Sequence, residues 1–309
     1  MTCETEFVYH DYTALQTSTR EHWNMNVSVV IPAHNEERAL PALISGIREH
    51  VPDAEIIVVD DGSTDATAET ARQASTLVIT HPYKIGNGAA VKTGMRHATG
   101  DTIVFMDGDG QHDPADLPAL LGQADNYDMV VGARSRSAHA NILRLFANVL
   151  YNFLASYVTK FTIKDLTSGF RVVKKETAMR YLCLLPNTFS YPTTITLSFL
   201  RSGRSIFYVP ITVHQRIGTS KIKVLHDGFR FLLIIIKITT LYSPLHVFLP
   251  LSSLFFLMGI ANYIYTYFRS NSFTNMSAMC IISSLMIFLM GLISEQITQM
   301  RYDRIENGG

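Results

Sequence analysis

The chain has 309 residues, enough for one large domain or two of ordinary size. Lysine and arginine total 26, as do aspartate and glutamate, so the charge balance gives no reason to expect nucleic acid or an acidic partner. The three cysteines, Cys3, Cys183 and Cys280, lie far apart and match neither a zinc nor a CxxC spacing, which indicates a reducing compartment and excludes a disulfide framework.

The polar N-terminus, residues 1–25, has no apolar stretch after a basic start, so we expect a tail or loose cover and not a secretory signal peptide. After it, apolar β-branched runs alternate with helical patterns. The runs predicted as strands are 26–31, 55–60, 77–80, 101–106 and 128–134. Pro32 is expected to end the first strand, with a helix following over 36–50. The alternation predicts βαβ units in a mostly parallel sheet with helices on both faces, which binds ligands at the carboxyl ends of its strands.

Polar motifs follow three of these strands. They are AHNEE (33–37), DDGSTD (60–65) and DGDGQHD (107–113). A dinucleotide fold would place G-x-G-x-x-G in the first strand-to-helix turn, but PAHNEE has no glycine and GNGAAV (86–91) lacks the third one. An EF-hand counted from Asp107 fails as well, because His112 replaces the required glycine and Pro118 the terminal glutamate.

The acidic motif DGDGQHD predicts a cation site. If the chain stays extended there, Asp107 and Asp109 project to the same side, and their carboxylates repel each other unless a cation lies beside them. Mg²⁺ and Mn²⁺ prefer oxygen ligands and commonly share them with a diphosphate, whose departing charge they neutralise. Gly108 and Gly110 would let the backbone approach such a ligand closely. The alternative is a solvated turn that merely ends a strand.

The C-terminal third is apolar. No lysine, arginine, aspartate or glutamate lies between Lys237 and Arg269, or between Arg269 and Glu295. Each run exceeds the roughly 20 residues that cross a bilayer as a helix, which predicts a two-helix membrane hairpin over 243–297. Basic residues cluster outside the pair, so the positive-inside rule puts the large N-terminal part and the tail 298–309 in the cytoplasm.

Two amphipathic segments precede the hairpin. Residues 141–160 carry a polar stripe at a spacing of four on an otherwise apolar helix, which either packs in a core or lies in the membrane interface. The stripe consists of Arg144, Asn148, Asn152, Ser156 and Lys160. Residues 224–241 lead directly into the first span, and this position beside a bilayer favours the interfacial interpretation.

Six motifs in order resemble those of the family 2 glycosyltransferases, and within them the dolichyl- or polyprenyl-phosphate hexose (mannose or glucose) synthases. They are VVIPAHNEE (29–37), VVDDGSTD (58–65), HPYKIGNGAAVKTG (81–94), MDGDGQHDP (106–114), TSGFRVVKK (167–175) and HQRIGTSK (214–221). The resemblance implies an A-type glycosyltransferase fold, a Rossmann-like and mostly parallel sheet, as a catalytic domain over 26–223.

The implied reaction is the inverting, metal-dependent transfer of a hexose from a nucleotide sugar of the GDP-mannose or UDP-glucose type. The acceptor would be a membrane polyprenyl phosphate, dolichyl or undecaprenyl, and the cofactor Mg²⁺ or Mn²⁺. A phosphate monoester whose second pKa is about 6 is already mostly dianionic at neutral pH, so no strong general base is required. The same resemblance implies a homo-oligomer in a lipid bilayer.

The resemblance also assigns roles to residues at matching positions. Those implied to bind the nucleotide sugar are Pro32, His34, Glu36, Val59, Asp61, Asp107, Gly108, Asp109 and Arg134. The implied metal ligands are Asp107, Asp109 and Gln111, and the implied acceptor-phosphate ligands are Arg171, Arg216, Ser220 and Lys221. The residues counted as catalytic are Asp109, Asp165, Arg216 and Lys221, with Asp165 as a base by position. The family loop usually carries asparagine where this chain has Lys84, so Lys84 is expected to be a solvated charge.

One alternative is disfavoured by the sequence, and two others remain at this point. A processive polysaccharide synthase would carry Q-x-x-R-W and more spans, whereas the one tryptophan here is Trp23. A transferase that acts on another membrane lipid, such as a headgroup alcohol, would need a clear general base. A non-catalytic membrane scaffold would bind the nucleotide without turnover.

Overall fold

The fold is described by a computed structural model that covers residues 25–74, 76–134, 149, 152–153, 155–157, 159–188, 190–214 and 242–306. Its strands are β1 (Val27–Ala33), β2 (Glu55–Asp60), β3 (Leu77–Thr80), β4 (Thr102–Phe105), β5 (Met129–Arg134), β6 (Arg171–Lys174) and β7 (Ile206–Ile211). Its helices are α1 (Leu40–His50), α2 (Thr67–Gln73), α3 (Asn87–His97), α4 (Leu117–Leu121), α5 (Lys175–Arg180), α6 (Tyr191–Arg201), α7 (Leu245–Ser270) and α8 (Asn275–Glu306).

The seven strands form one sheet in the order β3-β2-β1-β4-β6-β5-β7. Parallel pairing joins β1 to β2 and to β4, β2 to β3, and β5 to β7. The strand β6 runs antiparallel to both of its neighbours, β4 and β5. The predicted mostly parallel sheet is confirmed, while β6 and β7 have no counterparts among the predicted strands.

The sheet is buried on both faces, as expected of a mostly parallel sheet covered by helices. All seven residues of β1 are buried. Val30 packs on one face with Phe105 and with Met95 of α3, whereas Val29 and Ile31 pack on the other face with residues of α1 and α4. The period of two along β1 therefore divides the core into two apolar layers.

The first strand and the first helix have boundaries that differ from the predicted ones. β1 continues through Pro32 to Ala33, because the Pro32 backbone faces β4 beyond the last paired residue of that strand, where no ladder donor is needed. The Pro32 carbonyl instead accepts from the Gly108 amide at 3.3 Å. α1 begins at Leu40 and not at residue 36, since Asn35 has a left-handed φ of 60° and the chain turns before the helix starts.

Part of the predicted amphipathic helix 141–160 is described, and its residues 149, 152–153, 155–157 and 159 are helical. The two described helical members of the polar stripe face the protein. The Asn152 side chain donates to the Lys164 carbonyl at 2.8 Å and accepts from the Leu166 amide at 3.1 Å, and Ser156 accepts from the Ile163 amide at 2.9 Å. The outward face carries Val149, Phe153 and Tyr157, all of them exposed. The predicted segment 224–241 lies outside the described residues.

The helices α7 and α8 form an antiparallel hairpin, and both are long and apolar enough to cross a membrane. Ser252 donates to the Ser284 carbonyl at 3.0 Å, and Asn262 donates to Ser277 at 2.9 Å. Large apolar side chains such as Leu257 are exposed on the outside of the pair. The predicted tail 298–309 is instead helical as far as Glu306, where α8 ends.

Close packing of α3 on β1 yields a stability test. A Cβ on Gly94 would overlap a methyl group of Val30, so we expect Gly94→Ala to lower the free energy of unfolding by about 1–3 kcal/mol through overpacking. Arg96→Ala, at an exposed position of the same helix, is the matched control and should leave stability nearly unchanged. Urea unfolding of detergent-solubilised protein measures both. Equal stabilities of the Gly94→Ala variant and the wild type would contradict this packing.

Candidate active site

The motifs that follow β1 and β2 interlock at the carboxyl edge of the sheet. Asn35 accepts from the Thr64 amide at 2.8 Å and its own amide donates to Ser63 at 2.9 Å. The Glu36 amide donates to Thr67 at 2.9 Å, and the Glu37 carboxylate accepts from the Ala66 amide at 3.0 Å. The two loops therefore form one wall, as expected for adjacent parallel strands.

Asp61 is buried at the end of β2 and holds the loop 82–86. Its carboxylate accepts from His81 Nδ1 at 2.9 Å, from the Ile85 amide at 2.9 Å and from the Gly86 amide at 2.8 Å. Burial opposes ionisation, but these hydrogen bonds keep the pKa of Asp61 below its ordinary value. The Asp61 backbone carbonyl accepts from His34 Nδ1 at 3.0 Å. Asp61 thus shapes the pocket wall with its carboxylate directed at this loop.

The acidic turn follows β4 directly and bends back over β1. A Cβ on Gly108 would lie 3.1 Å from the Pro32 carbonyl, so glycine permits this approach. Asp107 receives a 3.5 Å contact from the Asn87 amide group at the start of α3, and its carboxylate lies against Gly169. The Asp109 carboxylate accepts from the Gln111 amide at 3.1 Å.

The segment before β6 adds a charged pair to this edge. Arg134, at the end of β5, donates to both oxygens of Asp165, with Nε–Oδ2 at 2.7 Å and Nη2–Oδ1 at 2.9 Å. Asp165 also accepts from the amides of Thr167 and Ser168, each at 3.1 Å. Hydrogen bonds to Asp165 and the nearby charge of Asp107 raise the pKa of Arg134. Arg134 also donates to the Thr167 hydroxyl at 2.5 Å, two residues before the Gly169 backbone that lies against the Asp107 carboxylate, so the Arg134–Asp165 pair is close to the acidic turn.

His112 is a site residue that the sequence reasoning did not single out as functional. It is 6% exposed, its ring packs against Phe170 at a tilt of 31° with centroids 5.2 Å apart, and its Nδ1 has no hydrogen-bond partner in the described part of the chain. Burial lowers the pKa of His112, while the charges of Asp107 and Asp109 act in the opposite direction. Its position inside the DGDGQHD motif is the sequence feature that could have identified it as a site residue.

The acidic turn also binds the segment that leads into the HQRIGTSK motif. His112 forms an isolated antiparallel bridge with Val213, and the Gln111 carbonyl accepts from the His214 amide at 2.9 Å. Asp113 pairs with His214 Nε2 at 3.0 Å. Residues Arg216, Ser220 and Lys221 lie outside the described residues, so the structure places this motif no further than His214.

Comparison with known proteins identifies the chain. Residues 28–182 match the model of glycosyl transferase family 2, and residues 243–300 match the GtrB C-terminal hairpin. This chain belongs to glycosyl transferase family 2. It is therefore a glycosyltransferase, and both the predicted family and the predicted two-helix C-terminal hairpin are confirmed.

Two relatives of this family 2 glycosyltransferase are informative. The chain is 29% identical over 212 residues to the undecaprenyl-phosphate mannosyltransferase of Micrococcus luteus, covering 64% of this chain and 87% of the relative. It is 32% identical over 187 residues to the undecaprenyl-phosphate 4-deoxy-4-formamido-L-arabinose transferase of Salmonella paratyphi A, covering 54% of this chain. The match spans 57% of the length of that second relative.

Solved structures show the same fold. The glucosyl-3-phosphoglycerate synthase of Mycobacterium tuberculosis in complex with phosphoglyceric acid matches with a TM-score of 0.57 at 21% identity, covering 72% of this chain and 85% of that chain. Its complex with Mn²⁺ and UDP-glucose matches with a TM-score of 0.56 at 22% identity, covering 72% and 84%. These likenesses confirm the predicted A-type glycosyltransferase fold.

Some predicted site residues of this family 2 glycosyltransferase lie elsewhere than expected. Val59 is 0% exposed within the core, because β2 is covered on both faces, so in this structure its side chain does not line the pocket. Gly108 and Asp109 form a turn, and Gly110 has a φ of 72°, so alternation along an extended strand does not set the directions of Asp107 and Asp109. Lys84 is exposed, as expected of a solvated charge.

Arg171 corrects a second expectation. It is 0% exposed, and its guanidinium donates to the Ser168 carbonyl at 2.7 Å, to Thr196 at 2.6 Å and to the Leu166 carbonyl at 3.1 Å. The structure therefore places Arg171 in the core beneath the site, with its charge satisfied by these acceptors, and not on the exposed surface where a phosphate ligand was expected.

The Asp165 carboxylate is poorly suited to the predicted role of general base. Burial opposes its ionisation, but the hydrogen bonds and charge of Arg134 and the neighbouring amides keep the pKa of Asp165 below its ordinary value. A carboxylate with a lowered pKa and both oxygens occupied accepts a proton weakly. Instead, Asp165 accepts two hydrogen bonds from the Arg134 guanidinium and holds it in one orientation.

The core position of Arg171 leads to a prediction. Arg171→Met would remove the donor from three buried acceptors, the carbonyls of Leu166 and Ser168 and the hydroxyl of Thr196. We therefore expect the free energy of unfolding to fall by about 2–4 kcal/mol. The KM values of the folded fraction should stay unchanged. Urea unfolding and steady-state kinetics measure the two effects, with Lys174→Met on the same strand as the control. Undiminished stability with weakened acceptor binding would restore Arg171 to the phosphate site.

The environment of Asp61 makes its contribution dependent on pH. Because its folded pKa is lower than the unfolded value, the ionised carboxylate stabilises the fold at neutral pH and this contribution is lost as the pH falls through the folded pKa. We expect Asp61→Asn to cost about 1–3 kcal/mol at neutral pH, with a smaller difference from the wild type below about pH 4. Urea unfolding at both pH values tests this, with the exposed Asp53→Asn as control. A cost independent of pH would refute it.

Proposed function

We propose that this family 2 glycosyltransferase transfers a hexose, with inversion, from a nucleotide sugar of the GDP-mannose or UDP-glucose type to a membrane polyprenyl phosphate, either dolichyl or undecaprenyl. The observation that carries the proposal is the junction of the acidic turn with Val213 and with His214, the first residue of the basic HQRIGTSK motif. The acidic turn thus contacts the start of the proposed acceptor motif, on a chain that also carries an apolar hairpin. The two undecaprenyl-phosphate sugar transferases among its relatives support this acceptor class.

The donor set of the acidic turn fits a hard divalent cation. No group of three histidine, cysteine, aspartate or glutamate side chains converges within the described ranges, so the remaining ligands would come from the substrate. Asp107, Asp109 and Gln111 would hold Mg²⁺ or Mn²⁺ through side-chain oxygens, which these ions prefer. When bound, the cation neutralises charge that develops on the departing diphosphate. The Mn²⁺ complex of the structural neighbour supports this role.

The protein side chains supply positioning and charge. Asp165 fixes the Arg134 guanidinium beside the acidic turn, where it can contact the donor diphosphate. Pro32, His34, Glu36 and Asp61 form the wall assigned to the nucleotide, with the loop 82–86 held against it. Arg216, Ser220 and Lys221 would bind the acceptor phosphate.

The reaction needs little proton transfer. A phosphate oxygen of the acceptor attacks the anomeric carbon, the bond from that carbon to the donor diphosphate breaks, and the nucleoside diphosphate leaves with the electron pair. Attack opposite the leaving group inverts the configuration. The phosphate is already dianionic at neutral pH, which agrees with the engagement of Asp165 by Arg134. A headgroup alcohol would need the free base that Asp165 does not provide.

The exposed apolar surfaces set the proposed orientation. Phe153 and Tyr157 face outward from the 149–159 helix and would lie at the headgroup level of the bilayer into which α7 and α8 insert. The catalytic domain and both termini would be cytoplasmic by the positive-inside rule, with a homo-oligomer assembled in the membrane.

Membranes containing the full chain test the function. Incubation with polyprenyl phosphate, labelled nucleotide sugars and Mn²⁺ or Mg²⁺ should move the label into organic-extractable lipid. Chelation by EDTA should abolish the transfer, and Asp109→Ala should reduce it by about 100-fold or more. Asp125→Ala, the same change at an exposed site, is the control. Label found solely in water-soluble or polymeric product would reject the acceptor, and nucleotide binding without turnover would favour a scaffold.

A further inference from the structure

The last turns of α8 belong to the core of the catalytic domain. Tyr302 is buried in the same apolar cluster as Phe199 of α6, and Ile305 packs against that cluster. The Tyr302 hydroxyl lies 3.2 Å from Ser198 Oγ. α8 therefore runs without interruption from the apolar hairpin into the catalytic domain.

A cluster of charged and polar side chains lies where the hairpin meets the catalytic domain. Glu295 is the first charged residue after the apolar run of α8, and its carboxylate accepts from Ser243 at 3.0 Å and from the Leu245 amide, at the start of α7, at 3.2 Å. Arg201, the last residue of α6, lies 3.6 Å from Glu295 and 4.9 Å from the centre of the Tyr302 ring. Its side chain is 13% exposed and that of Glu295 is 23%, so solvent screens the pair less than it screens a surface pair.

The other end of α6 reaches the active site. Tyr191 packs edge-on against Phe105, with ring centroids 6.1 Å apart, and Phe105 is the last residue of the strand that carries the acidic turn. In the middle of the helix, Thr196 accepts from the buried Arg171. The helix spans about 15 Å from Tyr191 to Arg201. It is thus a strut of fixed length between the acidic turn and the hairpin.

We propose that Arg201, Glu295 and Tyr302 are positioning residues that hold this strut against the membrane hairpin, setting the height and tilt at which the active site meets a bilayer-embedded acceptor. The inference rests on the proposed function, because an acceptor confined to the bilayer makes that height matter. A small acceptor free in solution approaches the site without this constraint.

The test compares two acceptors with the full-length enzyme in liposomes. One acceptor is a long-chain polyprenyl phosphate embedded in the bilayer, and the other is water-soluble geranyl phosphate. Arg201→Met should lower kcat/KM for the embedded acceptor by about tenfold, the scale of a small misplacement, and leave the value for geranyl phosphate within about twofold. The KM for the donor should not change. Arg201→Lys keeps the charge facing Glu295 and Tyr302 and should recover most of the loss.

Two further variants control for folding. Arg180→Met makes the same change in a surface pair with Glu176 on α5 and should alter neither reaction. If Arg201→Met does not accumulate, Tyr302→Phe removes just the hydroxyl bonded to Ser198 and should lower the reaction with the embedded acceptor alone, by about threefold. Equal losses with both acceptors, or no loss with the embedded one, overturn the positioning role. A wild-type enzyme inactive on both acceptors refutes the proposed function itself.

Discussion

The register that pairs Val30 of β1 with Phe105 of β4 brings the ends of these two parallel strands to the same edge of the sheet. β4 ends at Phe105, and the chain then turns so that the Gly108 amide reaches the Pro32 carbonyl. A side chain at position 108 would crowd this contact. Because β1, β2 and β4 are parallel, the acidic turn, the loop after β1 and the Asp61-bound loop all lie at the same edge of the sheet.

The carboxylates at this edge fall into two groups that differ in their partners. Asp61 and Asp165 are buried, and each accepts several hydrogen bonds from amides and from His81 or Arg134, so their charge is balanced within the fold. In the described part of the chain, the one hydrogen bond to Asp107 is a 3.5 Å contact from Asn87. Buried, hydrogen-bonded carboxylates stabilise the framework, whereas a less engaged one can still bind a cation.

Side-chain contacts, as well as the continuous backbone, join the hairpin to the catalytic domain. Glu295 accepts from the first turn of α7 and pairs with Arg201 of α6, and Tyr302 completes the catalytic core. An apolar hairpin joined by a loose linker would let the active site tilt freely. Here α8 is continuous from the hairpin to Tyr302, which packs in one core cluster with Phe199 of α6, so no loose linker separates the hairpin from the catalytic domain.

The sequence by itself determined the sheet strands 27–33, 55–60, 77–80, 102–105 and 129–134 to within two residues, the three polar motifs at their ends and the two apolar helices. These features are local, because apolar periodicity and turn chemistry depend on a few neighbouring residues. A long run without charged residues can likewise be recognised from the sequence wherever it occurs. The motifs together also identified the family.

Tertiary structure alone decided which charged residues are buried in the core and which stay exposed at the edge of the sheet. Arg171 and Arg134 read alike in the sequence, yet the first is enclosed by Leu166, Ser168 and Thr196 while the second remains partly exposed at a strand end. The antiparallel insertion of β6, the engagement of Asp61 by the 82–86 loop and the docking of Tyr302 depend equally on partners distant in the chain. Burial and hydrogen-bond pairing are properties of neighbours in space, and no local pattern specifies them.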